Sequence, residues 1–77
     1  MKDNFGNPRS LYFDKLVGMD NRQLFKECKD KIWLSAYAHN NPRSDYHWQC
    51  DACYDECNRR GKESIYQAAH DYLTKNI

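Results

Sequence analysis

Apolar residues return every three or four positions in three stretches of the chain, and each stretch is bounded by residues that start or stop helices. In the first, Leu24, Phe25, Cys28, Ile32, Ser35 and Ala36 share one face, which predicts a helix over about 20–38. Asp20 with Gln23 has capping-box spacing, and Met19 with Leu24 has that of a hydrophobic staple. The run "HNNPRSD" then breaks the pattern. Pro42 disfavours helix at the residue before it, so either Asn41 caps with Pro42 in the first turn or Ser44 caps. A second helix follows over about 44–60, with Gly61 as its stop. A third, over about 62–75, carries Ile65, Ala68, Ala69, Tyr72 and Leu73 on one stripe. It starts either at Lys62 or from a Ser64–Gln67 capping box. The lead-in, residues 1–19, contains "NPRSLYFDKLVG", which is either a two-turn helix from Ser10 to Gly18 or an extended segment. "NPRS" recurs at 41–44 and serves both times as punctuation. Val, Ile and Thr are scarce, so strands have little support. The expected fold is a single all-α domain over 1–77: a compact three-helix bundle with the lead-in packed against it.

Several large residues lie off these stripes. On the second helix Trp48 points away from Cys50, alongside Ala52 and Arg59; on the first, Trp33, Leu34 and Tyr37 turn away from Cys28. From Ile32 to Ala38 that helix is apolar almost all round, and such a helix is covered on every side. One solution folds the lead-in, with Phe5, Leu11, Tyr12, Phe13, Leu16 and Val17, over Trp33 and Tyr37; Trp48 is harder to cover in this way. The other is a protein–protein surface, since Trp, Tyr and Arg dominate interface hot spots. Trp48 with Arg59, or Trp33 with Tyr37 and Arg43, would then anchor a partner or a second copy of the chain.

The chain of 77 residues is one small domain with a thin core, which argues against a large internal active site. The net charge of +1 shows no general surplus for a polyanion. Arg43, Arg59, Arg60 and Lys62 make a basic edge, with Trp48 or Tyr54 to stack on a base, but Asp45, Asp51, Asp55 and Glu56 share the second helix and oppose phosphate. Nucleic acid is therefore the lesser expectation. "MKDNFGNPRS" has no apolar signal-peptide region, and no stretch reaches the ~18 apolar residues of a membrane span. The expected setting is the cytoplasm, with no membrane partner and with reduced thiols.

"HWQCDACYDEC" concentrates three of the four cysteines. At i, i+3 and i+7, Cys50, Cys53 and Cys57 share the inward face of the second helix, where Cys28 can meet them; small buried thiols let helices approach closely. No cofactor is expected on that reading. The alternative is a zinc-stabilised module contacting nucleic acid, with Cys50, Cys53 and Cys57 as ligands and Cys28 or His47 as the fourth. "CDAC" within a helical run, rather than in a turn, weighs against it. A redox pair at Cys50 and Cys53 lacks the helix N-terminus that lowers a thiol pKa, and Asp51 opposes it. His39, His47 and His70 form no HxxxH pair, and no hydrolase, phosphate-cradling or dinucleotide motif is present, so no enzymatic activity is expected.

The run "WQCDACYDECNRRGK", followed by "IYQAAHDYL", resembles short accessory proteins encoded by tailed bacteriophages. The resemblance spans the second and third predicted helices and carries no functional residues with it. It implies a setting, the cytoplasm of an infected bacterium, and a role in binding a host enzyme or blocking a defence system.

Overall fold

The computed structural model describes residues 1–75. It is all-α: α1 (Ser10–Val17), α2 (Asn21–Tyr37), α3 (Asp45–Arg59) and α4 (Glu63–Lys75). Among the described residues there is no strand, only an isolated bridge between Lys2 and Pro8 in the N-terminal turn.

The helix ends follow the capping chemistry. Gln23 N–H donates to Asp20 Oδ1 at 2.8 Å and Asp20 N–H to Gln23 Oε1 at 3.0 Å, completing the box that starts α2. Ser44, not Asn41, caps α3, its hydroxyl accepting from Tyr46 N–H at 3.2 Å. Gly61 sits at φ +67°, and the Gly61 and Lys62 amides reach back to the Asn58 and Cys57 carbonyls, a Schellman stop. The lead-in is helical, but Ser10 makes no side-chain cap; Arg9 occupies the cap position. The Ser64–Gln67 box does not form, because α4 starts at Glu63 and Ser64 already lies inside its first turn.

Helices α2 and α3 run antiparallel. His47, in the first turn of α3, bonds Ser35 and the Ala38 carbonyl at the end of α2, while Arg60, just past α3, reaches Asn21 at the start of α2. One flank of α4 puts Tyr72 beside Phe25, and the other puts His70 and Leu73 beside Ile32 and Trp33, so α4 crosses the middle of α2. Helix α1 lies along α3. The result is a slab of 33 × 29 × 15 Å, and its thinness limits the core to Leu16, Leu24, Cys28, Ala52, Cys53, Cys57 and Ala69.

One polar cluster locks the foot of this slab. Glu56 is buried at 6% exposure and accepts from Arg59 Nε (2.8 Å) and Nη2 (2.7 Å) and from Arg60 Nε (2.6 Å). The Arg60 guanidinium continues to the carbonyls of Leu16 (2.8 Å) and Met19 (2.7 Å) and to Asn21 Oδ1 (3.1 Å). It thus binds the end of α1, the start of α2 and the end of α3 together. Cations suit helix C-termini, where free carbonyls carry partial negative charge. Arg59 thus pairs with Glu56 three residues back. Replacing Arg60 by Ala removes a charged partner and leaves several carbonyls unmet, so stability should fall by about 2–3 kcal/mol in urea unfolding. The bonds from Arg59, then Arg60, hold the Glu56 carboxyl at about 2, below its ordinary value. A depressed carboxylate stabilises the fold above the unfolded-state pKa of about 4.3 and loses that contribution as pH falls through about 2. Glu56→Gln should therefore flatten the acid limb of the melting-temperature profile between those two values.

Candidate functional site

The structure separates the two tryptophans in the opposite sense to the simplest sequence expectation. The lead-in covers Trp48, not Trp33. Tyr12 meets the Trp48 indole edge-on at 5.5 Å, Phe13 packs at 6.0 Å, and the Arg9 guanidinium lies 4.7 Å from the ring centre. The indole N–H donates to Asp45 Oδ1 at 2.8 Å, and the same carboxylate accepts from the Asn4 amide. Trp48 is half-buried and Ala52, on the same side of α3, is fully buried. Trp48 is thus a structural anchor rather than an exposed contact residue. Its expected neighbour on the surface, Arg59, turns instead to Glu56 and stays 58% exposed on the far rim of the α1–α3 groove. Arg43 is exposed in the turn before α3, where its carbonyl accepts from Asn4.

Trp33 and Tyr37 remain outside, 55% and 76% exposed, four residues apart on α2 and stacked on each other at 5.5 Å with planes 9° apart. Beside them, between α2 and α4, runs a groove of about 160 Å³ lined by Ile32, Trp33, Ala36, His70, Leu73 and Thr74. On the other flank of α4, Lys29 places its ammonium over Phe25 (5.0 Å) and Tyr72 (4.4 Å). Trp33 and Tyr37 stand out in the sequence as off-stripe aromatics; Ile32, Leu73 and Lys29 do not. Ile32 and Leu73 lie on core stripes, and only the crossing of α4 over α2 leaves them beside the exposed stack. A larger hollow of about 330 Å³ lies between the N-terminal turn and the start of α3. Its charged groups are already engaged: Asp45 by Asn4 and Trp48, Lys31 by Glu27.

The thiols form an interior seam. Cys28, Cys53 and Cys57 are fully buried, and Cys28 Sγ lies 3.8 Å from Cys57 Sγ. Tyr12 joins them, its hydroxyl donating to Glu27 Oε2 at 2.6 Å and lying 3.5 Å from Cys53 Sγ. Glu27 also pairs with Lys31 in this partly enclosed place, and its bond from Tyr12 ties α1 to α2. Hydrogen bonding to Cys53, then burial, raises the Cys28 thiol; bonds from Cys28 and then Tyr12 lower Cys53 against the opposing effect of burial. Burial raises Cys50 and Cys57. The one thiol that ionises more easily is thus sealed from reagents.

The five residues of the zinc alternative do not converge. His47 is held by Ser35 at 2.8 Å and by the Ala38 and Asn41 carbonyls, and Cys50 is half-buried 3.1 Å from the Tyr66 hydroxyl. Among the described residues no group of three or more His, Cys, Asp or Glu side chains is arranged to hold a metal ion. The physical reason is the unbroken helix: it carries Cys50 toward α4 and His47 toward the end of α2, and their hydrogen-bond partners fix them there. Nor is any helix of the described residues long and apolar enough to cross a membrane.

Two measurements check this arrangement. Native thiol titration should show one cysteine, Cys50, reacting well ahead of the other three, and all four reacting together in denaturant. Trp48→Ala should cost about 2–3 kcal/mol, as expected for truncating a packed aromatic, whereas Trp33→Ala should cost under about 1 kcal/mol by the same unfolding assay. Compared with protein-family models, with curated proteins and with solved structures, the chain matches none.

Proposed function

We propose that this chain is a non-enzymatic binding protein that docks another protein through the α2–α4 face around Trp33 and Tyr37. The observation that carries the reading is the exposed aromatic stack beside an apolar groove. A rigid Trp–Tyr pair offers a large contact area at little cost in side-chain entropy, and such residues anchor interfaces. A slab this thin leaves apolar side chains outside that a thicker domain would enclose, and Trp33 and Tyr37 gather two of them next to Ile32 and Leu73. The hydroxyl at this face, Thr74, donates to the His70 and Asp71 carbonyls of its own helix rather than to a base, which favours binding over catalysis.

The likeness to phage accessory proteins makes the partner a host protein in the bacterial cytoplasm, an enzyme or a defence component that binding would inhibit or modulate. Capture from bacterial lysate on immobilised protein tests the assignment. A Trp33→Ala/Tyr37→Ala double variant should lose the captured partner by at least tenfold while keeping the wild-type helical signal. Tyr54→Ala, an exposed aromatic change on α3, should keep it. Capture that survives the double variant unchanged would place the contact surface elsewhere.

A further inference from the structure

The aromatic stack is one end of a longer stripe. Arg22, Lys26, Lys29, Trp33 and Tyr37 follow one another along α2 at intervals of four, three, four and four residues, which puts all five on one side of the helix. The stripe is about 22 Å long at 1.5 Å per residue. Its first half is cationic and its second half aromatic. Arg22 and Lys26 are exposed and make no ion pair among the described residues. The groove that opens beside Trp33 has an apolar floor formed by Ile32, Ala36 and Leu73.

We infer that this stripe receives a helical segment of a partner protein, about four turns long, with carboxylates along one end of its contact face and aliphatic or aromatic side chains along the other. The inference rests on the docking reading above and gives that partner a chemistry. Charge complementarity sets the first half. Uncompensated cations at one-turn spacing match carboxylates at the same spacing on a facing helix, which fixes register more than it adds affinity. The groove sets the second half: a helix lying in an apolar groove inserts side chains at i, i+3 or i+4 and i+7, and an apolar floor suits an aliphatic or aromatic knob. A nucleic-acid strand fits less well. Trp33 and Tyr37 already use one ring face each on one another, and Asp30 interrupts the cationic half next to Lys26.

Fluorescence anisotropy on the full chain provides the test. The probes are two labelled 16-residue helical peptides with three Glu at i, i+4 and i+7 and Leu and Phe completing the same face, one with the acidic end first and one with the apolar end first, together with a 15-nucleotide oligo(dT). One of the two peptides should bind, more weakly as salt rises. Arg22→Glu/Lys26→Glu should weaken it at least tenfold, as should Trp33→Ala. The same peptide with Lys in place of Glu should bind the charge-reversed variant and not the wild type; this exchange separates pairing from a general loss of fold. Binding of oligo(dT) that the same substitutions abolish would assign the stripe to nucleic acid and overturn the inference. So would sedimentation showing that the chain alone associates and that the charge-reversed variant does not. Failure of both peptides, with lysate capture still lost in Trp33→Ala/Tyr37→Ala, would remove the acidic partner and leave the docking face standing. Failure of both tests would remove the face as well.

Discussion

The cover that α1 gives Trp48 is the constraint from which the rest of this molecule follows. A lead-in of two helical turns can cover one aromatic cluster but not two. It covers Trp48 because three of its side chains, Arg9, Tyr12 and Phe13, meet the indole while Tyr12 also bonds Glu27 on α2. Asp45 strengthens the choice by holding both the indole N–H and the backbone of the N-terminal turn. Each contact is worth a kcal/mol or so at most, but they converge on one ring, and the buried Glu56–Arg60 pair closes the other end of the same helix. With the lead-in committed there, Trp33 and Tyr37 have no cover from residues 1–19.

The distribution of polar groups supports the same division. On the lead-in side, Arg60 meets carbonyls from two chain segments, Glu27 takes a tyrosine hydroxyl, and Asp45 takes an indole and an amide. These are directional bonds in partly enclosed places, where an unmet partner costs more than the bond itself returns. On the α2–α4 side Phe25 packs on Tyr72 with Lys29 over both rings, Trp33 and Tyr37 stand exposed, and Gln67 and Thr74 bond within α4. One side of the slab is specified tightly by hydrogen bonds, and the other is held by ring and aliphatic packing.

Much of the fold was legible in the sequence, because helix ends are local. The Asp20–Gln23 box and the Gly61 stop depend on residues within one turn of each other, Ser44 was one of two candidate caps, and the boundaries came out within a residue or two. The inward face of α3 was legible too, since i, i+3, i+7 thiols define a direction on a helix. What covers an outward face was not legible. Trp33 and Trp48 both stand off the cysteine stripe, and periodicity says nothing about which of them the lead-in reaches. Glu56 and Arg60 have the i, i+4 spacing of an ordinary surface pair on a helix. Their burial depends on α1 arriving beside them, a contact across some forty residues of sequence. Ile32 and Leu73 were hidden for a related reason, because a residue on a core stripe is read as core until the crossing of two helices is known.

The cysteines obey the same helix geometry. Dense thiols invite a chemical role, yet an unbroken helix fixes where each one points, and the points differ: Cys53 and Cys57 toward α2, Cys50 toward Tyr66. A tetrahedral metal site needs its donors to meet at one place, and a hydrogen-bonded His47 cannot leave Ser35 and the Ala38 carbonyl without unmaking the junction of α2 and α3. Small, weakly polar side chains instead let two helices approach closely in a domain that has little depth to bury larger ones. That economy of core volume is also why the large aromatics stand at the surface. The thiol seam and the exposed Trp–Tyr stack are thus two consequences of one thin architecture, the first keeping the slab closed and the second leaving two large rings on its surface.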